Sequence, residues 1–311
     1  MAALAGSIVV PLARRRLRFP APVTVAAAAA GPAAVAVLFP RTKTRDAVLF
    51  ALQMWAFTIV HELPYDDPER LRRRLRVRYP IVVDRVLGLG RIPNVRRQGA
   101  FSRPGEVTAL DRVLAMVHWG WFTEPHLALA WILVRHNDRF PRAARQMAAA
   151  FDLGCAAYFA VPTAPPWWAA EQGYLAEETG GRRADADDEG PSPPFRRVMV
   201  EAGESTWGRA WPALYESLGG NPWAAMPSLH FATSVLAAIL LAETGAVAGA
   251  AGWGYALALG FALVYLGEHY AIDLAAGVAL VALVRRGEPL AAPFSLRLSA
   301  ALHRLERVAA R

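Results

Sequence analysis

Two segments, NPWAAMPSLHFATSVLAAILL (Asn221–Leu241) and YLGEHYAIDLAAG (Tyr265–Gly277), decide how this chain folds. Each sets a histidine at the start of an apolar run. His230 follows Pro227-Ser228-Leu229, and His269 is followed four residues later by Asp273. On a helix, residues i and i+4 share a face, so Asp273 is placed to accept a hydrogen bond from the His269 ring. A carboxylate so placed fixes the imidazole tautomer and raises its basicity. Two histidines at the starts of neighbouring helices, one oriented by a carboxylate, read as a nucleophile and a proton donor facing one pocket.

Composition sets the solvent in which those helices sit. The chain of 311 residues is 55% hydrophobic, its mean hydropathy is +0.23, and its apolar runs are those of a membrane protein. The net charge of +8 is almost wholly arginine, since Lys43 is the only lysine. Arginine forks match phosphate oxygens, so anionic lipid headgroups and the bilayer are the expected partners, not nucleic acid. Arginine-rich loops on the cytoplasmic face account for the same charge. Cys155 is alone, which excludes an intrachain disulfide and a cysteine-built metal site, and it reads as packing.

The expected fold is all-α, a polytopic bundle of six or seven transmembrane helices with an amphipathic interfacial segment. Residues 1–21 form a basic flank. The alanine-rich run Pro22–Phe39 reads as a signal peptide or, preferably, as a retained span, and Ala47–Val60 is a shorter candidate. Residues 22–111 thus hold the first apolar segments and an arginine-rich region, 68–111, read as an interfacial helix and loop or as a solvated basic loop. The catalytic membrane domain covers 112–286. It contains expected spans at Leu114–Val134, Met147–Val161, Ser228–Ala242, Ala246–Tyr265 and Tyr270–Val284, with an extramembrane loop at 164–224. PTAPPWW (Pro162–Trp168) ends one span stiffly. The tail, 287–311, reads as a separate amphipathic surface helix. His118 and His126 lie within a span but lack an acidic residue at i+3 or i+4, so neither is assigned to the reaction. Oligomeric state is not readable. No internal repeat, nucleotide-binding glycine loop or His-Glu-x-x-His pattern occurs.

Two spans separate the loop before Pro227 from the loop holding His269, so both histidines fall on one side. The basic loop 135–145 and basic tail belong in the cytoplasm by the positive-inside tendency, which places the site extracytoplasmically. The arginines of 68–111 run against that assignment.

Ser228 stands at an N-cap, and the exposed N–H groups of a helix start attract anions. His269 can then attack a bound phosphorus in line while His230 protonates the leaving alcohol. In the second half-reaction His230 takes a proton from water or an acceptor hydroxyl, which releases His269. General acid–base help of this kind contributes ~10²–10⁴ in rate. A histidine nucleophile with fixed cations calls for no metal or cofactor.

AMPSLHFA (225–232) and GEHYAIDLAAG (267–277) resemble the second and third signature motifs of the type 2 phosphatidic acid phosphatase superfamily. Pro-Ser-Leu-His, together with the upstream PTAPPWW, is similar to its inositol phosphorylceramide synthase branch, the inositolphosphotransferases. The resemblance implies His269 as nucleophile, Asp273 as its orienter, His230 as acid and base, and a six-helix core with an extracytoplasmic pocket. The first signature, Lys-x6-Arg-Pro, is missing where PTAPPWW stands. An arginine version occurs earlier, at Arg96 and Arg103-Pro104, so Arg96 and Arg103 join Ser228 as candidate phosphate ligands.

The leading expectation is therefore an integral-membrane phosphotransferase that moves a phosphorylated headgroup onto a lipid hydroxyl through a phosphohistidine. The alternative is a lipid phosphate phosphatase using the same residues with water as acceptor. A remote alternative is a bis-histidine haem protein, in which Asp273 and Ser228 would have no role.

Overall fold

The computed structural model describes residues 2–103, 105–176, 195–218 and 220–309, and among them the regular structure is helical, with isolated β-bridges only. The N-terminal basic flank is itself a helix, α1 (Ala2–Leu17), and it doubles back onto α2 (Ala21–Leu38). α3 (Lys43–Glu62) opens on Thr42, whose hydroxyl accepts from the Arg45 N–H as an N-cap. Arg14, buried near the end of α1, reaches Glu62 at 2.8 Å and Asp66 at 3.0 Å, and ties α1 to the end of α3.

The arginine-rich region holds three short helices, α4 (Pro68–Arg72), α5 (Arg78–Leu87) and α6 (Pro93–Phe101). The expected amphipathicity is present in α5, with Ile81 and Asp84 facing inward and Val82 and Val86 exposed. The span expected over Leu114–Val134 is broken into α7 (Ala109–Gly120) and α8 (Glu124–Arg135). Trp121, Phe122 and Thr123 bond back to the carbonyls three residues before them, and Pro125 prevents the first helix from continuing.

α9 (Phe140–Ala160) begins inside the expected basic loop. In its described part the expected extramembrane loop folds into α10 (Pro166–Glu171), α11 (Val198–Trp207) and α12 (Trp211–Leu218). The charged stretch 180–194 of that expected loop lies outside the described residues. α13 (Leu229–Ala242) and α14 (Ala246–Tyr265) match their expected spans. α15 (Ala271–Ala309) runs unbroken across the expected boundary at 286 and through Pro289 and Pro293, so the tail is not a separate helix. Its 39 residues extend about 58 Å.

Among the described residues, three helical stretches are long and apolar enough to cross a membrane, Ala21–Leu38, Lys43–Asp66 and Ala246–Tyr265. The other expected spans do not meet that measure. The halves α7 and α8 cover roughly 18 Å each and α13 roughly 21 Å, against a hydrocarbon core of about 30 Å. Helix α13 is instead the centre of the bundle, enclosed by α8, α9, α14 and α15, and is apolar nearly all round for that reason. Close approach to α14 depends on small residues. A Cβ at Gly249 or Gly252 would stand 2.8 Å from the Ala242 or Ala238 Cα.

The two ends of the bundle differ. At the far end of α13, Arg285 pairs with Glu243 at 2.7 Å and Arg142 with Glu288 at 2.8 Å, while Glu306 of α15 meets Arg45 at 2.9 Å. The expected basic loop and tail therefore gather at one end, about 20 Å along α13 from His230.

Candidate active site

His230 lies in the first turn of α13, and the local sequence fixes that turn from three directions. Ser228 is fully buried and its hydroxyl accepts from the Phe231 N–H at 3.3 Å, the expected cap. From α9, the Tyr158 hydroxyl donates to the Pro227 carbonyl at 2.8 Å and accepts from the Leu229 N–H at 3.3 Å. The Met226–Pro227 peptide bond is cis. From α15, the Asp273 carbonyl accepts from the Ser228 N–H at 2.9 Å. Gly277 permits this approach, because a Cβ there would lie 2.8 Å from the Ser228 carbonyl oxygen.

The same contact brings in the second histidine. His269 occupies the turn between α14 and α15 and is 4% exposed. Its Nε2 is 3.2 Å from Nδ1 of His230. Its Nδ1 faces Oδ2 of Asp273 at 3.4 Å, an ion-pair distance without the geometry of a good hydrogen bond. The firm bond to Oδ2 comes instead from the Tyr270 N–H at 2.9 Å, which anchors the carboxylate in the first turn. With Asp273 favouring the proton on Nδ1 of His269, Nε2 carries the lone pair and His230 donates through Nδ1. The lone pair of the buried nucleophile candidate thus accepts from the candidate acid.

The backbone that carries His269 is held by the region expected to be interfacial. Asp84 of α5 accepts from the Ala271 N–H at 2.8 Å and the Ile272 N–H at 2.9 Å, capping α15 from outside its own sequence. Burial pushes its carboxyl up to about 6, against the opposing effect of those two N–H bonds. Asn94 of α6 donates to the carbonyls of Val264 at 2.7 Å and His269 at 2.9 Å. Gln98 bridges the Tyr265 carbonyl at 3.0 Å and the Arg196 backbone. Sequence reasoning missed all three, and the only signal was an acid and two amides on the inward faces of short helices.

Among the remaining sequence candidates, Arg96 donates to the Gly88 carbonyl at 2.6 Å and closes the turn between α5 and α6. Arg103 is exposed beside Glu106. Neither contacts the histidine pair. Arg196 is committed to Glu201 and Asp111, and Arg197 to Glu171 and the face of Trp167. His126 packs between Phe50 and Phe151, away from the pair. His118, in contrast, stacks on His230 with ring centroids 4.9 Å apart, and Trp121 covers His230 at 4.1 Å.

A helical bundle, with three helices long and apolar enough to cross a membrane among the described residues, holds a buried, carboxylate-backed histidine pair that is a candidate acid–base and nucleophilic centre. The family follows from the sequence comparison: a model of the PAP2 superfamily, the type 2 phosphatidic acid phosphatases, matches residues 81–285, and the chain belongs to that superfamily. The match begins within α5 and includes both histidines, Asp273, Asp84 and Asn94. Membership suggests lipid phosphatase or phosphotransferase activity. No curated protein and no solved structure matches the chain.

Proposed function

We propose that this protein is a phospholipid headgroup phosphotransferase of the inositolphosphotransferase type, working through a phosphohistidine on His269. The observation that carries the proposal is the 3.2 Å approach of His269 Nε2 to His230 Nδ1, with Asp273 behind the first ring. In the first half-reaction Nε2 bonds to phosphorus as the bond to the lipid alcohol breaks, and His230, as imidazolium, gives its Nδ1 proton to the departing oxygen. In the second, neutral His230 removes the proton of the acceptor hydroxyl, whose oxygen takes the phosphoryl group from His269. His230 ends each cycle as imidazolium, so protons balance. The entering phosphoryl group replaces the direct contact between the rings.

Burial favours transfer over hydrolysis. His269 is 4% exposed, Ser228 and Asp273 are fully buried, and an aromatic ring covers His230, a setting that disfavours bulk water as acceptor. The extracytoplasmic placement of the site rests on the arginines gathered at the opposite end of the bundle. Purified protein in detergent with labelled phosphatidylinositol tests the reading. Label should pass to a lipid hydroxyl acceptor such as ceramide, with diacylglycerol as the leaving alcohol. Release of free inositol phosphate at the same rate with and without acceptor lipid identifies a hydrolase instead.

A further inference from the structure

We infer that His118 is a third histidine of this site and that it hydrogen-bonds the phosphoryl group bound between His230 and His269. The inference rests on the phosphoryl-transfer reading and assigns that site a ligand contact which the sequence did not.

His118 stands in the last turn of α7, a helix positioned by its own N-terminus. Thr108 and Asp111 form a capping box, and Asp111 also receives the Tyr265 hydroxyl from α14. Its placement is therefore fixed at both ends, by the cap and by the stack on His230. The side chain is 8% exposed, and neither Nδ1 nor Nε2 has a hydrogen-bond partner. A neutral imidazole carries one N–H donor, and a buried donor left without a partner is destabilising. Packing alone would be served better by phenylalanine or leucine. The neighbouring rings show what the nitrogens are for. His118 lies 4.9 Å from His230 in a stacked arrangement, and His230 lies 5.3 Å from His269, so His230 has one imidazole against it on each contact. A ring stacked on His230 places its unpartnered nitrogens beside the group that His230 would protonate.

The electrostatics ask for such a donor. Arg96, Arg103, Arg196 and Arg197 are each engaged elsewhere, on Gly88, Glu106, Glu201 and Glu171. A neutral N–H aimed at a non-bridging phosphoryl oxygen stabilises the charge spread over the equatorial oxygens during transfer, as preorganised donors do in other sites. His118 neither forms nor breaks a covalent bond here.

The test uses the full chain in detergent and orthovanadate as a phosphoryl mimic, with binding measured by calorimetry alongside lipid turnover. His118→Phe keeps the ring and its stack but removes both nitrogens. His118→Asn keeps a neutral N–H donor. Expected is vanadate affinity about tenfold to a hundredfold weaker in the Phe variant, the loss of one hydrogen bond to a charged group, with a comparable fall in kcat/KM and substantial recovery in the Asn variant. Phe equal to wild type, or Asn worse than Phe, overturns the inference and makes His118 a packing residue. A wild-type protein that turns over lipid but shows no loss in either variant overturns this inference alone. A wild type that neither binds vanadate nor turns over lipid overturns the phosphoryl-transfer reading, and this inference with it.

Discussion

Nε2 of His269 lies 3.2 Å from Nδ1 of His230, although 39 residues separate them in the chain. The contact joins the two ends of a helical hairpin, α13 and α14, and it is maintained by a backbone bond from Ser228 to Asp273. Such a pair makes unequal demands on its members. Removing the nucleophile removes the covalent intermediate, whereas removing the acid slows both half-reactions.

His269→Ala is therefore expected to show no turnover and no protein-bound phosphate. His230→Ala should retain residual turnover, lower by about 10²–10⁴. Brief incubation with phosphate-labelled lipid followed by gel analysis checks this. The label should be acid-labile, as a phosphoramidate is, and absent from His269→Ala. Full labelling of that variant would move the nucleophile elsewhere.

Gly277 sets how closely α15 approaches α13. A methyl group there would sit 2.8 Å from the Ser228 carbonyl and 3.4 Å from Ala232, both in the first turn that carries His230. Overpacking of this kind costs about 1–3 kcal/mol. Gly277→Ala should lower the thermal midpoint and depress kcat, because relief of the clash moves Ser228 away from Asp273 and parts the two rings. Gly287, on the same helix with open space around its Cβ position, is the control, and Gly287→Ala should leave both quantities unchanged.

The residues of the candidate site are legible in the sequence where their information is local. Ser228 caps a helix two residues before His230, and Asp273 follows His269 by one turn, so short-range geometry sufficed for both. The span at Leu114–Val134 reads as continuous because hydropathy averages over the turn at Trp121–Thr123, although Pro125 stands where the second helix begins. The tail reads as a separate amphipathic helix because its leucines alternate with basic residues, yet α15 passes unbroken through Pro289 and Pro293 and meets Arg41 and Arg45 through Glu306. Asp84 and Asn94 were invisible for a different reason. Their partners lie 187 and 175 residues away in sequence, and nothing local to an arginine-rich stretch says that one carboxylate and one amide in it hold the turn of His269.

Asp84 gives that turn a pH dependence. Its carboxyl is pushed by burial from 3.8 up to about 6. Between about pH 4 and 6 the folded chain keeps a proton on Asp84 that the unfolded chain has lost, so this group makes stability fall as pH rises through the window. Above it the cost is complete and constant. Capping of Ala271 and Ile272 needs the ionised form, so activity should run the other way and decline below about pH 6. Asp84→Asn removes the titration. Thermal midpoint against pH should be flatter in the variant than in wild type across this window, and kcat should be lower at pH 7, where the amide can serve only one of the two N–H groups.

Asn94 holds the same turn by its other backbone face. Its amide nitrogen satisfies the carbonyls of Val264 and His269 together, so Asn94→Ala leaves two buried acceptors without that donor, at roughly 1–3 kcal/mol each where no water replaces it. Asn94→Asp is worse, because it sets a carboxylate against the same two oxygens. If the role of Asn94 is to hold His269 in line with His230, kcat in Asn94→Ala falls while KM stays close to wild type, since no substrate contact is lost. Kinetics taken well below the thermal midpoint separate this from simple instability. A variant with a lowered midpoint but an unchanged kcat at such a temperature would show that the amide supports the fold and not the alignment of the imidazoles.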